Sequence, residues 1–252
     1  ACSATGVCRS RSRATTASTM PVRGTKAPAA EAGKICVLIL GMHRSGTSAI
    51  TRLVSMLGAS LPRVLLGAGA GNETGHWEPE RLIAYHDRML VDQGSAWHDW
   101  TPLDLTRIPL RRREQIADDI SEIISADFAD SSLIVLKEPR IARFASFFEK
   151  ILTGNGYDLR VVVAFRNPLD VIDSLLHRKS VWPENHDRTD AALLWLIHML
   201  EAERASRAFP RVIVSYEAVM AEPASALQSV VAGLRLSTPR TVADIAGEAK
   251  AF

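Results

Sequence analysis

Apolar residues along this chain follow two alternating patterns. Short continuous runs at Ile35–Leu40, Leu133–Leu136, Arg160–Phe165 and Val212–Val214 predict buried strands. Between them, apolar residues recur every three or four positions and predict helices. The first helix follows Gly46, with Ile50, Leu53, Val54 and Leu57 on one face. A second is predicted over Glu78–Val91, with Pro79 at its start and Leu82, Met89 and Leu90 apolar. A third spans Arg111–Phe128, with Ile116, Ile120, Ile123 and Ile124 in register. Further helices are predicted over Ile141–Leu152, Leu169–Arg178, Thr189–Ala208 (Leu193, Leu196, Ile197 and Leu200 facing inward) and Pro223–Leu234. Gly94–Pro109 and His177–Asp190 read as loops. Strands alternating with helices predict an α/β fold, a central parallel sheet covered on both faces in three α/β/α layers.

The stretch Lys34–Ser48 (KICVLILGMHRSGTS) carries the strongest chemical signal. A strand feeds a loop with Gly41 and Gly46, passes through His43, Arg44 and Ser45, and enters a helix at Thr47 and Ser48. Backbone N–H groups and the helix dipole in such a loop favour an anion. A nucleoside triphosphatase loop has the spacing G-x-x-x-x-G-K-[ST]. Here Thr47 stands in the lysine position, and Arg44 and His43 supply the charge inside the loop. The loop suits a phosphate ester, and its composition counts against ATP bound in the usual way.

The strand Arg160–Phe165 ends in Arg166-Asn167-Pro168 and a helix. Asn167 can cap that helix and Pro168 suits its first position. Ser174 lies eight residues after Arg166, so a strand-end arginine and a helix serine form a two-point clamp for phosphate.

With both motifs in view, the chain resembles the sulfotransferase superfamily, which uses 3′-phosphoadenosine 5′-phosphosulfate (PAPS). GMHRSGTS resembles the family's 5′-phosphosulfate loop, and FRNPLDVIDS its 3′-phosphate motif, including the Arg-to-Ser interval. The likeness covers about Lys34 to Leu236 and is nearest the bacterial and the Golgi carbohydrate and tyrosylprotein branches. It implies a P-loop-containing α/β/α sandwich and PAPS as co-substrate, without metal. By that resemblance Gly41, His43, Arg44, Ser45, Gly46, Thr47 and Ser48 hold the 5′-phosphosulfate, and Arg166 and Ser174 the 3′-phosphate. The Gly- and Lys-rich segment that covers the adenosine in many cytosolic members has no counterpart in Gly247–Lys250.

Catalytic candidates follow from the strand ends. Lys137, after Leu133–Leu136, matches approximately a family lysine that contacts the sulfuryl group; the alternative is a lysine paired with a carboxylate. Arg140 either binds an acidic acceptor or pairs with Glu138 or Asp130. The general base is expected in Asn72–Glu78, with Glu78 first and His76 second, provided that burial beside Trp77 raises the carboxyl's pKa. The alternative places Glu78 in the first turn of a helix, where negative charge is favourable anyway, and gives Asn72 and Gly75 a turn. His43 either touches the sulfate or only shapes the loop. Trp97 and Trp100 are compatible with a sugar- or aromatic-binding wall, and Trp195 reads as core. His177, His186 and His198 lack metal-ligand spacing, and no metal site is expected.

Composition narrows the setting. The chain has 252 residues, 47% of them hydrophobic, and a net charge of +2, which implies no strong nucleic-acid or membrane field. Three cysteines give no disulfide framework, and Cys36 reads as core. No apolar run approaches the roughly 20 residues that span a bilayer. Residues 1–33, rich in Ala, Ser, Thr and Arg, are expected to form a disordered tail ahead of a domain over 34–252, with Met20 as an alternative first residue. The expected protein is a cytoplasmic sulfotransferase with a small-molecule or carbohydrate acceptor, and no nucleic-acid or membrane partner. The alternatives are a P-loop nucleotide or small-molecule kinase, and a non-catalytic PAP-binding module.

Overall fold

Strand β1 (Lys34–Leu40) lies between β2 (Leu133–Lys137) and β3 (Tyr157–Phe165), and β4 (Arg211–Ser215) pairs with β3. All pairings are parallel, in the order β2-β1-β3-β4. The computed structural model describes residues 33–69, 75–129, 131–178 and 181–251. Apart from Gly33, the expected tail lies outside them, as do Asn72 and Asp130.

Because strand side chains alternate between faces, the sheet sorts its apolar residues into two cores. Cys36, Leu38 and Leu40 join Ile134, Leu136, Leu159, Val161 and Val163 on one face. There they meet α2 (Glu80–Asp92), α3 (Leu110–Phe128) and α4 (Ala145–Gly154) through Leu82, Ile120 and Phe148. Val37 and Ile39 join Val135, Val162 and Ala164 on the other face. That face packs on α1 (Thr47–Met56), α8 (Pro223–Gly233) and α9 (Val242–Ala251) through Leu53, Val230 and Ile245. A side chain such as Ile39, with no exposed surface, contributes about 1.5–3 kcal/mol relative to an exposed one. A third cluster joins Met42 to α5 (Pro168–Leu176) and α6 (Arg188–Ser206) through Val171, Leu175, Leu194 and Trp182. The expected α/β class with a central parallel sheet flanked by helices is what the chain forms.

Several elements differ from expectation. The helix expected from Ile141 is in two parts. A tight 3₁₀ stretch over Pro139–Phe144 comes first, fixed because the Glu138 side chain accepts from the Arg140 N–H, and α4 follows from Ala145. Helix α2 begins at Glu80 after Pro79, so Glu78 is not in a helical turn. Helix α6 turns Ala191, Leu194, His198 and Ala202 inward and leaves Leu196 45% and Leu200 55% exposed. Leucines on several sides of that helix give its periodicity no single direction. Pro223–Gly233 is not the last helix: α9 follows it, and a short α7 (Tyr216–Ala221) precedes it.

Candidate functional site

The register Ile39↔Lys137, Leu40↔Val163 and Phe165↔Ser215 brings the carboxyl ends of all four strands to one edge, where open α/β sheets bind ligands. Gly41 leaves β1 at φ 144°, and a Cβ there would stand 2.6 Å from the Ala164 carbonyl oxygen of neighbouring β3. Gly46 caps α1 at φ 82°, and a Cβ there would meet the Tyr216 ring at 2.6 Å. Glycine is therefore required at both ends of the loop. Between them Arg44 adopts φ 69°, a strained conformation for a side chain of its size. Ser45 is fully buried, and among the described residues its hydroxyl has no hydrogen-bond partner. An orphaned hydroxyl inside a loop of backbone donors fits an anionic ligand.

Arg44 and the clamp residues meet. Asn167 caps α5 by accepting from the Leu169 N–H at 3.0 Å, and Pro168 takes the first helical position, both as expected. Arg44 Nε donates to Ser174 Oγ at 2.9 Å, and Arg166 Nη1 donates to the Arg44 carbonyl at 3.1 Å. Arg44 thus touches both of the residues expected to clamp a phosphate from two points. Arg166 also lies over the Tyr216 ring, 4.4 Å from its centroid. Tyr216 was not singled out from the sequence; its signal is an aromatic residue directly after β4.

Lys137 ends β2 without exposed surface. Its Nζ donates to Glu78 Oε1 at 2.5 Å, to the His76 carbonyl at 2.5 Å and to Ser48 Oγ at 3.1 Å. Ser48 also donates to the His76 carbonyl at 3.2 Å, tying α1 to this segment. Lys137 is thus paired with a carboxylate, and a buried one. Burial pushes the Glu78 carboxyl above its ordinary range against the attraction of Lys137, and the charge of Glu138 adds to the rise. Burial likewise pushes Lys137 below the usual lysine value, opposed by Glu78. Trp77, at φ 56°, takes Arg52 over its ring at 4.9 Å. The half-buried His76 imidazole is held below its ordinary value by burial, then by Lys137, Arg178 and Arg44.

Glu138 forms a second buried array that the sequence did not disclose. It accepts from the Arg140 N–H at 3.1 Å and Nη1 at 2.6 Å, and meets His86 Nδ1 at 2.6 Å. Arg140 Nε pairs with Asp87 at 2.8 Å. The array fastens α2 to the turn after β2 and so seats Glu78, which lies just before α2. Arg140 pairs with Glu138, as one of its two readings had it.

His43 packs among rings, 5.1 Å from Trp97 and 6.0 Å from His198. Burial, with Arg140 next, holds it well below the usual imidazole value, so it is neutral at pH 7. Trp97 is half-buried against two of the cores, while the Trp100 indole donates to Asp190 at 2.9 Å. Trp195 is partly buried, 6.1 Å from Phe165. Cys36 is fully buried, and burial raises its thiol pKa. No group of three or more metal-binding side chains and no helix long and apolar enough to cross a membrane occurs among the described residues.

No protein-family model matches the sequence, and no curated protein matches it. Solved structures similar to the chain include a sulfotransferase domain from the curacin biosynthetic pathway, at 17% identity and a TM-score of 0.48, over 81% of this chain and 74% of that one. A second is a sulfotransferase domain from the Synechococcus PCC 7002 olefin synthase, at 17% identity and a TM-score of 0.46, with the same coverage. A third is sulfotransferase STF9 from Mycobacterium avium, at 16% identity and a TM-score of 0.42, over 86% of this chain and 66% of that one.

Proposed function

We propose that this chain is a sulfotransferase that moves a sulfuryl group from PAPS to a hydroxyl or amine of an acceptor, with a carbohydrate as the first candidate. The observation that carries the proposal is the convergence of Arg44, Ser174 and Arg166 beside a glycine loop that lacks the triphosphatase lysine. Two anion-binding strand ends in one cleft match a ligand with separate 5′ and 3′ phosphate groups. The orphaned Ser45 hydroxyl supports the fit.

PAPS supplies an activated sulfuryl group. In this reading the loop from Gly41 to Ser48, His43 included, holds its 5′ end, and Arg166 and Ser174 hold the 3′-phosphate. Arg44 and Lys137 stabilise charge that builds on oxygens at the reacting centre. Glu78 takes the acceptor's proton, and its burial makes it a better base than an exposed carboxylate. Lys137 has its three protons committed to Glu78, His76 and Ser48, so its turn toward the sulfuryl oxygens frees the Glu78 carboxylate.

Glu138 counts against the kinase alternative. It directly follows β2, where a kinase would hold Mg²⁺, and both of its oxygens are committed to Arg140 and His86, whereas Glu217, two residues after β4, is an exposed acid near a strand end. The test is sulfuryl transfer from labelled PAPS to a panel of hydroxyl acceptors. Arg44→Ala and Lys137→Ala should each lower turnover by roughly 10²–10³. Near-wild-type turnover in both variants would remove these roles, and phosphoryl transfer from ATP with Mg²⁺ in place of sulfuryl transfer would establish the kinase.

A further inference from the structure

One cation of the cleft has no task in the scheme above. Arg178 follows the last turn of α5, four residues after Ser174. Its N–H donates to the Leu175 carbonyl at 2.9 Å, so the chain continues in a tight turn beyond the helix. Ser174 is the residue of α5 that touches Arg44. Arg178 lies two residues beyond the end of α5, in the turn that follows the helix. The His76 imidazole lies within the field of Arg178 as well as those of Lys137 and Arg44, which puts Arg178 near the segment that carries Glu78.

The neighbouring charges are otherwise matched. Arg44 is bonded to Ser174, Arg166 lies over Tyr216, and Lys137 is saturated. Asp173 on α5 pairs with Arg188 at 2.5 Å, and Glu217 accepts from the Asn167 N–H at 3.4 Å. Among the described residues the half-buried guanidinium of Arg178 has no hydrogen-bond or ion-pair partner. Its main chain is held in place, because its carbonyl accepts from the N–H groups of Val181 at 3.0 Å and Trp182 at 2.9 Å. Trp182 is buried 6.1 Å from Trp97, which in turn packs on His43. An arginine with a free planar fork, presented from an anchored turn, recognises a carboxylate or a phosphate- or sulfate-type group.

We infer that Arg178 is an acceptor-binding residue and that the acceptor carries an anionic group close to the hydroxyl or amine that is sulfated. The inference rests on the sulfotransferase reading and names its substrate class. The 5′ and 3′ ends of the nucleotide take Arg44, Lys137 and Arg166, so among the described residues Arg178 is the cation left for the other substrate. His76, neutral under the same field, adds no second cation and leaves the anion to Arg178.

The test uses the full chain and three matched acceptor pairs: 4-hydroxyphenylacetate with its amide, glucuronate with glucose, and 3-hydroxybutyrate with its amide. Transfer from labelled PAPS is measured with wild type, Arg178→Gln and Arg178→Lys, and PAP affinity of each is measured by calorimetry. An acidic acceptor should exceed its neutral match by about 10-fold or more in kcat/KM, the scale of one charge-assisted hydrogen bond. Arg178→Gln should remove that preference while PAP affinity stays within about twofold, and Arg178→Lys should restore part of it. Equal transfer to both members, transfer to no acidic member, or a loss of PAP affinity in Arg178→Gln as large as in Arg166→Ala would overturn the inference. A wild-type chain that binds no PAP would instead remove the sulfotransferase reading, and this inference with it.

Discussion

Separating Glu78 from Lys137 gives the two halves of the pair opposite responses to pH. Lys137→Met leaves the Glu78 carboxyl, 6% exposed, without its cation. An unpaired buried carboxylate protonates rather than remaining charged, and at pH 7 that costs at most about 1.36 × (7 − 4.5), or roughly 3 kcal/mol, from the ordinary value of 4.5. Glu78→Gln leaves Lys137 fully buried, and shedding its proton from an ordinary 10.5 costs at most about 1.36 × (10.5 − 7), or roughly 5 kcal/mol. In Lys137→Met the folded carboxyl titrates above the unfolded one, so the folded chain binds the extra proton and stability falls as pH rises from about 5 to 7. In Glu78→Gln the folded lysine titrates below the unfolded one, the unfolded chain binds the extra proton, and stability rises from about pH 7 to 9. The double variant, Glu78→Gln with Lys137→Met, should recover most of the loss, because neither charge is stranded. Urea denaturation at a series of pH values measures all three. Parallel pH profiles in the two single variants, or losses under about 1 kcal/mol that simply add, would refute the buried pair.

Three further outcomes follow from the same geometry. Gly41→Ala should cost about 1–3 kcal/mol in a thermal-unfolding experiment, because its Cβ meets the Ala164 backbone; Gly46→Ala should cost about 1 kcal/mol or more, because φ 82° strains any side chain and its Cβ meets the Tyr216 ring, and it should weaken PAP binding by disturbing the support of Arg166. His198 is fully buried, and burial pushes its pKa down to about 4, so below about pH 6.5 the unfolded chain gains a proton that the folded chain refuses; stability should fall with pH by up to about 3 kcal/mol, part of it lost in His198→Phe, and parallel wild-type and variant profiles would contradict this. Cys36 should stay unlabelled by iodoacetamide in the folded chain and react in urea, as read by peptide mass; native labelling would place it outside the core.

The parts of this molecule legible in the sequence are those fixed by neighbours in the chain. The run Ile35–Leu40 and the glycines at 41 and 46 specify a strand, a loop and a helix start locally. Asn167 and Pro168 do the same for α5. Glu78 and Lys137 could be singled out as residues, but their bond spans 59 positions and only the tertiary fold makes it. Glu138 could be named as a partner of its neighbour Arg140, but its contact with His86, 52 positions away on a predicted helix, gave no local signal. The inward face of α6 was misread because leucines surround that helix, and packing against α5 made the choice. Arg166 and Ser174 could be singled out as a two-point clamp from their interval, but their shared contact with Arg44, 122 and 130 positions away, is made only by the fold.

The central claim is that the cleft between Arg44 and Arg166 recognises a nucleotide by its 3′-phosphate, and calorimetric titration with PAP, with ADP and with ATP plus Mg²⁺ tests it most directly. The account predicts that PAP binds about 10- to 100-fold more tightly than ADP, and that Arg166→Ala removes this difference while the folded chain persists. Equal affinity for PAP and ADP, or binding of ATP with Mg²⁺ alone, would contradict it.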